Sequence, residues 1–291
     1  MKAKTVGYIF LFVLLVVGVL VVAELFRSHD LLGKLHNRFG DKSEYVNEEE
    51  KFIVFSTPVE NATGVNPLTD PLFVAARGGS EQDVKNALKK TEVDAVDKTG
   101  MTPLMYASRN GNTGAVSTLV NNGAGINKQD LRGYTALMYS SISAPDEIAL
   151  FLLSRGADPS LRSVDKRTAL SIAAENGRDM IAEAMIIHTD GVNYASTGGV
   201  TPLMYAAISG NLKLVDTLIQ NGARVNASDN YGNTPLIYAA EYGKQGAARL
   251  LLDNGANIAV RNNRGESALS HARRNEHWSV ASLLSERGAP L

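Results

Sequence analysis

The sequence predicts an all-α fold in which helix-turn-helix units with β-turn tips repeat every 33 residues, behind one N-terminal transmembrane helix. Three observations carry this prediction. The stretch Thr-Pro-Leu-Met-Tyr-Ala that starts at Thr102 recurs with variations at a constant spacing. Glycines recur with the same period at two places in each repeat. An uncharged, apolar run also covers residues 6–23. A fixed period of this size indicates stacked units that bury their apolar faces against one another.

Each copy of the repeated stretch predicts the start of a helix. Thr102 is a favourable N-cap, and Pro103 occupies the first helical position, where its missing N–H costs nothing. Val116, Leu119 and Val120 would give a second helix its apolar stripe. Further copies of the stretch begin at Thr135, Thr168, Thr201, Thr234 and Ser267, with a weaker copy at Asp70. The sequence therefore predicts a series of helix pairs.

Two sets of glycines predict the turns of each unit. The first set precedes the first helix, where a positive φ is needed, and comprises Gly100, Gly133, Gly199, Gly232 and Gly265. The second set follows the second helix as a left-handed C-cap and comprises Gly123, Gly156, Gly222, Gly255 and Gly288. Because both sets share one period, chance is a poor explanation for either.

The combined pattern, Asp-x-x-Gly-x-Thr-Pro-Leu-x-x-Ala-Ala, then a helix, then Asn-Gly-Ala-x-Val-Asn, resembles the ankyrin repeat. The resemblance covers about residues 69–291 and implies a solenoid of units at about 69–96, 97–129, 130–162, 163–195, 196–228, 229–261 and 262–291. The family often has His after Thr-Pro-Leu, where this chain has Met105, Met138, Ser171, Met204, Ile237 and Ser270. Dispersion by Met would replace the hydrogen bonds of that His, so we expect softer turns between repeats.

The fourth unit, about 163–195, departs from the pattern. Lys166 stands at the turn glycine, Thr189 at the C-cap glycine and Ala169 at the proline. A residue with a Cβ costs roughly 1 kcal/mol in a left-handed position, so an altered local backbone is expected. One interpretation of the departure is drift in an internal repeat. The functional alternative is a bend or a partner-specific loop at 187–191.

The N-terminal run of 18 residues, 6–23, is long enough to cross a membrane. At about 1.5 Å per residue it would cover roughly 27 Å as a helix, close to the apolar core of a bilayer. Its length favours an uncleaved anchor, while Ala23 offers a cleavage site for a signal peptide. Lys2 and Lys4 favour a cytoplasmic N-terminus, but Arg27, Lys34, Arg38 and Lys42 follow the run, so the count of positive charges does not decide the orientation. The position of the run near the start resembles a bacterial export signal, and the predicted location is therefore the inner membrane with the repeats in the periplasm.

Residues 24–68 are predicted to connect the membrane segment to the repeats. The spacing of apolar residues over 24–39 predicts a short amphipathic helix, and 52–55 form a short apolar run before Pro58. We expect this run to pack on the first repeat as part of its cap. The alternative is that it forms a strand that binds a partner.

Composition and motifs exclude several kinds of chemistry. With no cysteine, the chain has neither disulfides nor thiolate metal sites. Its formal net charge of -1 argues against nucleic acid as the main partner. The histidines do not lie at metal-ligand spacing, and the hydrolase, phosphate-loop and zinc-protease motifs are missing. The sequence therefore predicts no catalytic residues, no cofactor and no metal, and the regularly spaced aspartates are expected to cap their own turns.

The resemblance implies that a partner protein binds on the turn tips and the adjoining face of the first helices, which form a concave groove in this family. The positions that match are Lys98, Met101, Arg109, Leu131, Arg132, Tyr134, Ile142, Arg167, Ile208, Asn230, Tyr231, Tyr242 and Arg264. Tyr and Arg are the side chains that most often dominate binding energies. The column of Tyr106, Tyr139, Tyr205 and Tyr238 is expected instead to pack between helices with polar tips.

Ankyrin proteins with an N-terminal anchor are similar to bacterial immunity proteins that block secreted phospholipase effectors. This resemblance implies a non-catalytic inhibitor that captures a lipase in the periplasm. Two alternatives stay open. The first is a soluble periplasmic stress or chaperone-like factor, which a cleaved N-terminus would favour. The second is a membrane scaffold that faces the cytoplasm, which a reversed topology would favour.

Overall fold

A computed structural model describes residues 64–290, which form α-helices in consecutive pairs and no β-sheet. We call the first helix of each pair inner and the second outer. The inner helices are α1 (Pro71–Gly78), α3 (Pro103–Asn110), α5 (Ala136–Ser143), α7 (Ala169–Glu175), α9 (Pro202–Ser209), α11 (Pro235–Glu241) and α13 (Ala268–Arg274). The outer helices are α2 (Glu81–Ala87), α4 (Thr113–Asn121), α6 (Asp146–Ser154), α8 (Asp179–Ile187), α10 (Leu212–Gln220), α12 (Gln245–Asp253) and α14 (Trp278–Glu286). The predicted all-α solenoid is confirmed.

Hydroxyl N-caps begin the inner helices, as the sequence predicts. The Thr102 hydroxyl accepts a hydrogen bond from the Met105 N–H at 3.3 Å. The equivalent bond in the later units measures 3.2 to 3.4 Å and involves Thr135, Thr168, Thr201, Thr234 and Ser267. In α1 the carboxylate of Asp70 caps Leu72 and Phe73 in the same way. Each cap satisfies an N–H that the helix itself leaves unpaired.

Positive φ values occur where the glycine sets predict them. Gly133 has a φ of 76° before α5, and Gly123 has a φ of 86° after α4. Lys166 follows the pattern despite its Cβ, with a φ of 58°. Thr189 does not. The chain passes instead into a short 3-10 helix, Gly191–Asn193, and the Thr189 hydroxyl accepts a bond from the Gly191 N–H at 2.9 Å. The altered backbone expected in this unit therefore lies after α8, where a hydroxyl-capped turn replaces the left-handed C-cap.

A continuous core runs through the stack. Each inner helix packs on its own outer helix and on the inner helix of the next unit. The leucine of the repeated stretch is at most 2% exposed in every unit, at Leu72, Leu104, Leu137, Leu170, Leu203, Leu236 and Leu269. Small residues such as Ala107 and Ala173 are fully buried between neighbouring helices. Removing one unit would therefore expose apolar surface on both of its neighbours.

Backbone hydrogen bonds join successive turns. Leu131 N–H donates to the Thr99 carbonyl at 3.0 Å, and Asn263 N–H donates to the Tyr231 carbonyl at 2.9 Å. At the position where the family often has His, the Met105 sulfur also accepts from the Thr102 N–H at 3.4 Å. Sulfur is a weak acceptor, so Met adds little beyond its packing. The softer turns expected from the missing His stay a prediction.

The two ends of the described stack are polar. The exposed side chains of the first unit include Gln82, Asp83, Lys85, Lys89 and Lys90, and those of the last unit include Arg273, Arg274, Asn275 and Glu276. Within 64–290, no helix has both the length and the apolar character needed to span a bilayer. The predicted span at 6–23 and the apolar run at 52–55, predicted to pack on the first repeat, lie outside the described residues.

Candidate protein-interaction face

Buried aspartates hold the turn tips in shape. One carboxylate oxygen of Asp97 accepts from the N–H groups of Thr99 and Met101, at 2.8 and 3.0 Å. Its other oxygen accepts from the Tyr106 hydroxyl at 2.8 Å. Asp97 is only 4% exposed. This confirms that Asp97 caps its turn, and it adds a link from this tip to its inner helix that the sequence analysis did not predict.

The same arrangement recurs with Asp130 and Tyr139, and with Asp229 and Tyr238, at 2.5 and 2.6 Å between oxygens. Burial, followed by the hydrogen bond to the aspartate, raises the pKa of Tyr139 and of Tyr238 above the usual value. Each tyrosine thus stays a hydrogen-bond donor at physiological pH. The predicted packing role of the tyrosine column is confirmed for these residues, since their rings are buried.

Arginines cover the tyrosines towards the N-terminal end of the stack. The guanidinium carbons of Arg77 and Arg109 lie 4.9 and 5.0 Å from the centre of the Tyr106 ring. These distances are within the range of cation–π attraction. The two arginines occupy equivalent positions at the C-terminal ends of α1 and α3. The Tyr106 ring therefore contacts arginines from two successive units.

The next two units continue this cluster. Arg132 lies 5.0 Å from the centre of the Tyr134 ring and donates a hydrogen bond to the Tyr139 hydroxyl. Arg167 forms an ion pair with Glu175 and lies 5.8 Å from the ring of Tyr205. We call this set the arginine–tyrosine strip: Arg77, Tyr106, Arg109, Arg132, Tyr134, Tyr139, Arg167 and Tyr205.

Burial and neighbouring charge shift the pKa of Arg167 in opposite directions. Burial favours the neutral guanidinium, but Glu175 and nearby tyrosines more than compensate, and the pKa of Arg167 is raised. For Tyr205, burial raises the pKa to about 12. The strip therefore carries permanent positive charge among neutral phenols, which is an arrangement that can bind anionic groups but cannot itself supply a proton near neutral pH.

The residues predicted to bind a partner differ in exposure. The side chains exposed to solvent are Lys98, Leu131, Ile142, Asn230, Tyr231 and Arg264. The half-buried ones are Arg109, Arg132, Tyr134, Arg167 and Tyr242. Asn230 also donates to the Thr197 carbonyl at 2.9 Å, so its amide joins two tips.

The prediction of partner-binding residues is wrong for Met101 and Ile208. Both were expected on the binding surface, yet each is only 4% exposed. Met101 belongs to the apolar core beneath its tip, and Ile208 is buried near the end of α9. Burial of these apolar side chains against neighbouring residues removes their surface from water and so stabilises the fold. Neither side chain is available to a partner in this structure.

Arg77 and Glu175 belong to this face, although Arg77 was absent from the predicted site. A signal for Arg77 was present, since it precedes Arg109 by 32 residues, which is the spacing between the first two copies of the repeated stretch.

Within residues 64–290 no group of His, Asp or Glu side chains could hold a metal ion.

Comparison with known proteins agrees with the fold. The family model described as ankyrin repeats (3 copies) matches residues 72–163 and 156–229, and the model described as ankyrin repeats (many copies) matches 218–272. The crystal structure of the human ASB11 ankyrin repeat domain is similar, with 28% identity and a TM-score of 0.67 over 76% of this chain and 99% of that chain. Comparison with the curated proteins finds no matching sequence. The chain belongs to the ankyrin repeat family, whose members are typically non-catalytic modules for protein–protein interaction.

Proposed function

We propose that this protein binds a partner protein, without catalysis, on the face formed by its turn tips and the ends of its inner helices. The observation that carries the proposal is the arginine–tyrosine strip. Its side chains are ordered by one another before any partner arrives, as shown by Arg132 between the Tyr134 ring and the Tyr139 hydroxyl. Less conformational entropy is lost when such a surface binds, and Tyr and Arg are the commonest dominant residues of interfaces.

We further propose that the protein is anchored in the inner membrane by residues 6–23, with its repeats in the periplasm. The apolar run and the preceding lysines support this arrangement. A protein placed there would meet effectors that enter the periplasm. The proposed partner is a secreted phospholipase, and the protein would act as its immunity protein. The resemblance of the layout to such immunity proteins supports this part of the proposal.

Two other functions are tied to the N-terminus. A soluble periplasmic stress or chaperone-like factor would require cleavage near Ala23. A cytoplasmic scaffold would require the opposite orientation in the membrane. Both use the same face to bind a protein, so they differ from the main proposal in location and partner rather than in mechanism.

The test is capture of the native partner from cell extracts by the full chain and by variants. Tyr134→Ala and Tyr231→Ala should each weaken binding by on the order of 2 kcal/mol, and Tyr231→Ala should leave the melting temperature unchanged because Tyr231 is exposed. Thr102→Ala is the matched control, because loss of its cap should cost about 1 kcal/mol of stability with little effect on affinity. Normal binding by both tyrosine variants would refute the assignment of the face. Inhibition of a phospholipase encoded beside this gene would identify the partner class.

A further inference from the structure

The charge on the interaction face is uneven. Cationic side chains dominate its first four units, at the tips and at the ends of the inner helices: Arg77, Lys98, Arg109, Arg132, Lys166 and Arg167. The acids of these tips and helix ends are Asp165, which is exposed, and Glu175, which is paired with Arg167. Asp97 and Asp130 are buried beneath the tips, where backbone N–H groups and tyrosine hydroxyls already occupy their oxygens.

The later units do not share this excess of positive charge. Glu241 and Glu266 both lie near His271, with carboxylate oxygens 3.8 and 3.2 Å from its ring nitrogens. Arg274, which occupies the position of Arg109, is bonded to Glu266. The positive field is therefore concentrated on the first four units.

The arginines of the first four units are positioned so that their guanidinium groups can bind carboxylates. A guanidinium that lies over an aromatic ring still presents N–H groups around its own plane, and those groups can bind a carboxylate with two parallel hydrogen bonds. Arg77 and Arg109 are both within about 5 Å of the centre of the Tyr106 ring. A partner that binds them gains charge-assisted hydrogen bonds without first having to order either arginine.

Exposed apolar side chains accompany the arginines. Leu131, beside Arg132, is 59% exposed, and Ile142, which occupies the position of Arg109 in the next unit, is 39% exposed. Neighbouring inner helices pack at about 8–10 Å from each other. An extended chain covers that distance in about three residues. The face thus fits an extended segment with an acid at about every third residue and apolar side chains between the acids.

We propose that the part of the face from Arg77 to Arg167 binds an acidic, extended segment of a partner protein. This inference rests on the proposed function and specifies the chemistry of its partner. A nucleic acid fits less well, because the whole chain has a formal net charge of -1. A bilayer also fits less well, since its phosphates lie in a plane whereas Arg109 and Arg167 are half-buried.

The experiment selects displayed random peptides of about 12 residues, long enough to extend across about four units. Selection on the purified full chain runs in parallel with selection on an Arg77→Gln, Arg109→Gln double variant. We expect wild-type selection to enrich peptides with Asp or Glu at about every third position. The best peptide should bind the double variant about ten-fold more weakly or worse, and its affinity for the wild type should fall as NaCl rises.

A matched control removes the same charge elsewhere. Arg224→Gln with Arg249→Gln alters exposed arginines outside the strip, and its affinity for the peptide should stay within about two-fold of the wild type. Thermal melts of both double variants show whether the fold is intact. An unchanged affinity in a folded Arg77→Gln, Arg109→Gln protein would overturn the proposal, as would an absence of acidic peptides.

Failure of this inference is distinguishable from failure of the proposed function. If neutral peptides are selected and Tyr134→Ala abolishes their binding, the face binds protein but does not prefer acidic segments. If neither substitution affects capture of the native partner, both proposals are wrong. Binding to vesicles of phosphatidylglycerol and phosphatidylcholine that is lost in the arginine variant, together with no acidic peptide, would assign the strip to lipid phosphates and overturn the proposal.

Discussion

At the scale of single residues, the aspartate beneath three of the tips (Asp97, Asp130 and Asp229) combines two tasks. Asp97 shapes the turn through backbone N–H groups and fixes the turn to α3 through the Tyr106 hydroxyl. Other units use weaker substitutes at these two positions, such as Asn262 with His271, whose side-chain nitrogens are 3.4 Å apart. The pair Ser163 and Ile172 has no hydroxyl donor on the inner helix. The fourth unit therefore lacks this link between its tip and its inner helix.

Tyr106→Phe tests the value of this link. The substitution keeps the ring but removes the donor to a carboxylate oxygen of Asp97, which is 4% exposed. Leaving a buried charged acceptor without this donor should lower the free energy of unfolding by about 1–3 kcal/mol. Tyr194→Phe is the control, because Tyr194 is 38% exposed and should change stability by less than about 0.5 kcal/mol. Equal effects in urea unfolding would contradict the prediction.

At the scale of turns and helices, the neighbouring unit decides which positions tolerate a side chain. Gly133 and Gly265 have nearly the same φ, 76° and 75°. A Cβ at Gly133 would lie 2.9 Å from the Ser163 Cα and 3.0 Å from the Val164 nitrogen, whereas a Cβ at Gly265 would meet nothing within 4 Å. The difference arises because a further tip packs against the turn of Gly133.

Alanine substitution at these two glycines separates the strain of a left-handed backbone from the steric clash with the next tip. Gly265→Ala should cost only the left-handed strain, about 1 kcal/mol. Gly133→Ala should cost clearly more, since backbone atoms of the next tip must also move. Thermal unfolding of both variants provides the comparison. The prediction is wrong if the two variants lose the same stability.

The unit at 163–195 should be the least stable internal unit. Lys166 holds a left-handed φ, Thr189 replaces the glycine C-cap, and α8 has no side-chain N-cap bond. In a stack of nearest-neighbour interactions, such defects lower local stability. We expect weaker hydrogen-exchange protection there than in 196–228, where Thr201 and Asn211 cap both helices. Equal or stronger protection would show that Lys166 and Thr189 are well accommodated.

At the scale of the whole molecule, the repeats provide a row of side chains, and in the proposed function the N-terminal run determines where that row is placed in the cell. The orientation with an external repeat domain depends on Lys2 and Lys4 ahead of the apolar segment. It predicts that residues after about 24 lie outside the cytoplasm.

Reporter fusions after Phe39 test this orientation. Alkaline phosphatase should be active there, because it folds only in an oxidising compartment. A cytoplasmic reporter at the same junction is the control and should be inactive. The reverse result would place the repeats in the cytoplasm. A mature protein that begins at Glu24 would instead show a cleaved signal peptide.

The repeat, its caps and its turns could be predicted from the sequence alone. These features depend on hydrogen bonds and φ values within a few residues, such as the Thr102 cap and the φ of Gly133, so the identity of nearby residues suffices.

Which side chains are exposed on the candidate interaction face could not be predicted in this way and depends on the packing of the units. Met101 and Ile208 resemble surface positions in the repeat pattern but are buried by neighbouring helices. Arg77 and Arg109 meet at Tyr106 although Arg77 belongs to another unit. Burial and contact between units depend on how one repeat packs on the next, which involves residues more than thirty positions apart. A periodic pattern fixes which positions are equivalent, but the volumes and charges packed around each position differ from unit to unit.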